Sequence, residues 1–150
     1  KLIRGLEGDG DLGRLHALSG AIAEAVKYKL GASEPTWTAE DALAAGEGVC
    51  QDHTHVFLAC AREMGFPARY VSGYLMMEGQ TVQDAMHAWA EAHVDGLGWV
   101  GFDPSNGISP DARYVRVATG LDYADAAPVT GLQMGGRGES LDVQISVQQQ

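Results

Sequence analysis

The stretch from Gly46 to Gly65, GEGVCQDHTHVFLACAREMG, decides how this chain is read. It opens with two glycines around Glu47, meets a cysteine at position 50, and continues as an apolar-periodic run that ends on glycine. That pattern predicts a loop feeding a helix over about Val49 to Met64. Gly65, followed by Phe66 and Pro67, marks its C-terminal end. Cys50 therefore stands at a helix N-terminus, where unpaired N–H groups and the helix dipole favour an anion. Thiolate is the reactive form of cysteine, so this is a place suited to a nucleophile.

Upstream, Leu15, Leu18, Ile22 and Val26 recur at helical spacing and predict a helix from Asp11 to Leu30, capped by Asp11 and ended by Gly31. Thr38, Ala39, Glu40 and Asp41 form a variant capping box that opens a short helix, Ala39 to Ala45, stopped by Gly46. The start, Lys1 to Gly10, is glycine-rich and charged and reads as frayed.

Downstream, the period changes from 3.6 to 2. Arg69 to Met77 alternates and is rich in Tyr and Val, predicting a strand. Glu78 to Asp84 reads as a polar loop. Met86 to Val94 and Trp99 to Asp103 read as two strands around Asp95-Gly-Leu-Gly98, a hairpin signal. Tyr114 to Thr119 is a further strand, and Gly120 to Gly138 reads as a surface segment. Leu141, Val143, Ile145 and Val147 alternate as a last strand with one buried face. Helices first and strands later indicate an α+β domain, with N-terminal helices packed on an antiparallel sheet.

His87 opens the strand HAWAEAHV, and Asp103 ends GWVGFDP. With Cys50 they form a set of nucleophile, base and orienting carboxylate, the minimum for covalent acyl transfer. Geometry sets a condition. With an even number of loop residues, His87 and Asp103 would point to opposite faces of their hairpin. A shared face requires an odd loop or a β-bulge between Val94 and Asp103, which Gly96, Gly98 and Gly101 make feasible.

Other residues carry weaker signals. Asp52 and His53 lie in the first turn beside Cys50, where they can support the site or cap the helix. His53 and His55 are two apart on a helix and face different directions, which argues against a shared metal. Cys60 lies ten residues from Cys50. On one helix that is about 15 Å, too far for a disulfide, so both are expected as free thiols. Trp89 and Trp99 read as packing residues on the strands that hold the base and its partner.

The net charge of −10 argues against nucleic acid or an anionic membrane as partner. The acidity and the free thiols fit a cytoplasmic protein in a reducing compartment. Hydrophobic residues make up 45% of 150, enough for one domain with a real core.

Three strings, GVCQDHTHVFLACAREMGFPARYVSGYL, HAWAEAHVDGLGWVGFDPSNG and YVRVATGLDYADAAPV, resemble the transglutaminase-like superfamily, papain-related cysteine enzymes of the transglutaminase core. The likeness is to bacterial members and covers about residues 36 to 130. It implies that Cys50 is the nucleophile, His87 the base and Asp103 its orienting partner. It implies acyl chemistry on a peptide or protein amide through a thioester, without cofactor or metal. Water as acceptor makes a peptidase or amidase, the reading preferred here. An amine makes a cross-linking transferase, and a vestigial triad would leave a protein-binding module. Animal cross-linking members use calcium, and no EF-hand-like loop is seen here. In bacterial relatives a β-rich domain often precedes this core, so residues 1–150 are expected to be a catalytic domain excised from a longer chain. A second oxyanion donor is usual. Trp37 offers an N–H and Tyr28 a hydroxyl upstream of Cys50, but neither lies in a matching string.

Overall fold

The computed structural model describes residues 2–34, 36–76, 82–83, 86–127 and 145–146. Helix α1 runs Gly10–Ala25, α2 runs Ala39–Ala45 and α3 runs Cys50–Glu63. Two short strands, β1 (Lys27–Tyr28) and β2 (Glu47–Gly48), pair in parallel ahead of α3. The main sheet contains β3 (Ala68–Leu75), β5 (His87–Val94), β6 (Gly98–Phe102) and β7 (Tyr114–Gly120), in the order β6-β5-β3-β7, antiparallel throughout. A separate pair joins β4 (Val82–Gln83) to β8 (Ile145–Ser146). The α+β expectation holds.

The sheet is built for a close-lying helix. Its inner face presents Ala88, Ala90, Ala92 and Val94 from β5, beside Ala68 and Tyr70 from β3. The alanines let α3 approach, and Phe57, Leu58 and Ala61 fill the space between. Phe57 stacks on Phe102 with centroids 5.0 Å apart. Leu15, Leu18 and Ile22 of α1, all buried, close the core from the other side of α3.

Terminal signals acted as expected in two helices. Thr38 and Asp41 make the full reciprocal capping box, and Gly46 ends α2 at φ 68°. After α3, Phe66 N–H donates to the Ala61 carbonyl and Gly65 N–H to that of Arg62, the Schellman pattern, with Gly65 at φ 93°.

The first helix is shorter than its pattern predicts. It stops at Ala25, not Leu30, and its N-cap is Asp9, not Asp11. Val26 turns extended because its carbonyl is engaged by the buried His53 ring, and Lys27 N–H donates to the Gly46 carbonyl. Leu30 is left 79% exposed. Two other expectations change. Val82 and Gln83, read as loop, form β4. Trp99 is exposed rather than packed inside, with the Arg69 guanidinium 4.0 Å over its ring. Of the predicted last strand, only Ile145–Ser146 lies within the described residues. Residues 128–138 lie outside them; before them Leu121 is exposed and Ala126 is fully buried.

Candidate active site

Cys50 is the first residue of α3 and is half-buried. Its position is set by an interlocked loop. Asp52 Oδ2 accepts the Val49 N–H at 2.7 Å and the Ser33 hydroxyl at 2.6 Å. A Cβ on Gly48 would come within 2.8 Å of that carboxylate, so glycine there lets the loop close onto the helix start. Asp52 Oδ1 is buried without a hydrogen-bond partner among the described residues; the positive end of α3 offsets its charge. Asp52 thus shapes the loop.

His53 is buried and bridges three segments. Its Nε2 meets the Val26 carbonyl at 2.7 Å, and its Nδ1 lies 2.9 Å from the Val49 carbonyl and 3.2 Å from Ser105 Oγ. It ties the end of α1, the start of α3 and the loop after β6 together. Both nitrogens are occupied by this work, so His53 is not placed as a ligand. Trp37 packs half-buried against the core. His55 accepts the Tyr123 N–H on Nε2 at 3.3 Å and sits on Tyr70, with ring centroids 5.3 Å apart.

The hairpin meets its geometric condition. Val94 pairs with Gly98, leaving the three residues Asp95, Gly96 and Leu97 in the loop, an odd count. Ala90 pairs with Phe102, so the next step in register sets Asp103 opposite Trp89. His87 lies two residues from Trp89 and shares its face. Gly96 and Gly98 both take φ 82°, a conformation that a side chain disfavours.

His87 Nε2 and Asp103 Oδ2 are 2.6 Å apart, with the Asp103 side chain fully buried and that of His87 13% exposed. Cys50 couples to the same imidazole by hydrogen bonding and charge. With Nε2 committed to Asp103, the nitrogen left for sulfur is Nδ1. The structure therefore brings Cys50, His87 and Asp103 together from a helix start, a strand start and a strand end. Burial works against a charged His87, but Asp103 and Cys50 outweigh it, and its pKa is pushed up to about 9.

Two residues beside Asp103 went unrecognised in the sequence. Tyr114 O–H and Asn106 Nδ2 each donate to Asp103 Oδ2 at 2.7 Å. The N–H groups of Ser105 and Asn106 donate to Oδ1 at 3.0 and 3.3 Å. Burial raises the Asp103 pKa, yet His87, Asn106 and Tyr114 together hold it below the usual carboxylate range. Tyr114 also packs edge-on against Trp89, centroids 5.3 Å apart, beside His87 at 5.8 Å. Nothing local in β7 announces that Tyr114 reaches Asp103.

Such a group can hold an anionic sulfur, shuttle one proton and keep its imidazole oriented. Comparison with known proteins places the chain in a family. The sequence pattern of the transglutaminase-like superfamily matches residues 2–104, a span that contains all three side chains. The chain is 41% identical to an uncharacterized protein of Mycobacterium leprae over 112 residues, 71% of this chain and 39% of that one. It is 34% identical to an uncharacterized protein of Mycobacterium tuberculosis over 144 residues, 89% of this chain and 46% of the other. The chain thus spans less than half the length of these relatives. Among solved structures, it is similar to a cysteine-protease candidate from Cytophaga hutchinsonii, with TM-score 0.67 and 33% identity over 76% of this chain and 38% of that one. It also shares its fold with calcium-bound LapG of Legionella pneumophila, with TM-score 0.62 and 16% identity over 91% of this chain and 80% of the other.

Proposed function

From the premise that this chain belongs to the transglutaminase-like superfamily, we propose that it is a cysteine peptidase or amidase acting on a peptide or protein amide through a Cys50 thioester. The observation that carries this reading is the single imidazole, His87, joined on one side to buried Asp103 at 2.6 Å and coupled on the other to Cys50.

The steps follow from those contacts. Cys50 sulfur attacks the amide carbon, and His87 holds the proton that left the thiol. The carbonyl π pair moves to oxygen, beside the Cys50 N–H at the helix start. Collapse restores the carbonyl and breaks the C–N bond, and the departing amine takes the proton from His87. Water then attacks the thioester with His87 as base, releasing the acid and restoring the thiol. Asp103 stays ionised, fixes the ring and stabilises the imidazolium.

The test is mass spectrometry on a peptide pool incubated with the protein, with and without a biotinylated amine. Cleaved peptides that disappear in Cys50→Ala support the proposal. Amine incorporation in place of cleavage moves the assignment to transfer. No product of either kind, together with equal slow alkylation of Cys50 and Cys60 by iodoacetamide at about pH 6, overturns it.

A further inference from the structure

An acyl reaction leaves negative charge on the substrate oxygen, and one backbone N–H is a weak cradle for it. The Cys50 N–H, first in its helix and without an intrahelical acceptor, is one donor. The structure holds a second polar residue, Tyr28, beside the loop that leads into Cys50.

Strand β1 lies parallel to β2, and Tyr28 is the register partner of Gly48, two residues before Cys50. Lys27 N–H donates to the Gly46 carbonyl at 2.9 Å and Lys29 N–H to the Gly48 carbonyl at 2.8 Å, so Tyr28 is pinned on both sides. Its ring lies nearly parallel to the His53 ring, 8° off with centroids 6.1 Å apart. His53 is three residues past Cys50 on the same helix, hence on the same face one turn along. His53 is itself held at both nitrogens, so the surface beneath Tyr28 is rigid. Tyr28 is 52% exposed. Burial of the remainder, with Cys50 and Asp103 as negative neighbours, keeps the phenol protonated and able to donate.

We propose that the Tyr28 hydroxyl is the second oxyanion donor, acting with the Cys50 N–H on the oxygen of the tetrahedral intermediate. This rests on the thioester reading above. Sulfur bonds to the carbonyl carbon, the π pair becomes the oxyanion, and Tyr28 lends a hydrogen bond without giving up its proton. Collapse returns the pair to the C=O bond and releases the leaving group. Trp37, the other upstream donor, packs half-buried against the core.

Two probes of one sulfur separate this from a structural role. Iodoacetamide alkylates Cys50 by displacing iodide and forms no oxyanion. p-Nitrophenyl acetate acylates it through a tetrahedral oxyanion and releases p-nitrophenolate. Tyr28→Phe keeps the ring and removes the donor. The expected result is acylation slowed about tenfold to a thousandfold, with alkylation of Cys50 changed by less than about twofold. Equal loss in both reactions makes Tyr28 a structural support and overturns the proposal, as does unchanged acylation. If Tyr28→Phe is unfolded by circular dichroism, Tyr28→Met carries the same comparison. An unsubstituted protein that is alkylated at Cys50 but never acylated defeats the thioester reading, and this inference with it.

Discussion

Tyr114, on the edge strand β7, donates its hydroxyl to the same Asp103 oxygen that His87 engages, at 2.7 Å against 2.6 Å. Two side chains far apart in sequence from Cys50 thereby share one buried acceptor. A carboxylate held by several donors keeps its charge and its orientation, and His87 depends on both.

Tyr114→Phe should cost stability and lower turnover. Removing a hydrogen bond to a buried charge typically costs about 1.5–3 kcal/mol. Without that donor the Asp103 pKa rises toward the ordinary range. The acid limb of the activity–pH profile should therefore move to higher pH. A profile that keeps its acid limb while only the melting temperature falls would confine Tyr114 to packing.

The His87–Asp103 pair sets a pH dependence of stability. His87 has its folded pKa raised from 6.5 to about 9. Its contribution is fully present below pH 6.5 and is lost as pH rises through about 9. The size is on the order of 3 kcal/mol. Asp103, with its pKa lowered, contributes above the ordinary carboxylate value and loses that as pH falls through its folded one. Denaturant unfolding of the protein and of Asp103→Asn at pH values across this window should show the alkaline decline in the former and a flatter profile in the latter.

His55 works in the opposite sense. Burial is the main cause of its lowered pKa, which Arg62 reinforces and Asp122 and Asp52 oppose. Only the unprotonated Nε2 can accept the Tyr123 N–H. Stability from this contact is complete above pH 6.5 and falls as pH drops below it toward the folded value. His55→Gln keeps an acceptor and takes no proton, so its melting temperature should decline less between about pH 7 and pH 5. Parallel declines in the two proteins would assign the acid loss elsewhere.

Gly73 has a steric reason to be glycine. A Cβ there would lie 2.8 Å from the Trp89 ring and would also strike the Val115 carbonyl, at the irregularity where β3 and β7 change register. Gly73→Ala should destabilise by at least about 1–3 kcal/mol and reduce activity, because Gly73 pairs with His87 across β3 and β5. The register of β3 against β7 shifts between Ser72 and Gly73, which makes this a bulge position. Full activity with an unchanged melting temperature in Gly73→Ala would contradict this account.

Much of the site was legible because its signals are local. A cysteine before an amphipathic run, with glycines ahead and a Gly-Phe-Pro end, specifies a helix and its tip without any distant contact. Residue pattern located β3, β5, β6 and β7, and parity required either an odd loop or a bulge, of which the structure has the odd loop at Asp95–Leu97. The early end of α1 was not legible, because nothing in its own periodicity records that His53, 27 residues on, captures the Val26 carbonyl.

The sequence by itself determined the α+β order of elements and the helix tip under Cys50, and it set the condition under which His87 and Asp103 share a face. These follow from backbone period, capping and strand parity, which act over a few residues. Only the tertiary structure decided which groups surround them: Tyr114 and Asn106 on Asp103, His53 across three segments, Tyr28 beside Gly48. Such contacts arise when the buried faces of α3 and the sheet are driven together, and packing brings polar side chains into reach whose separations along the chain carry no periodic trace.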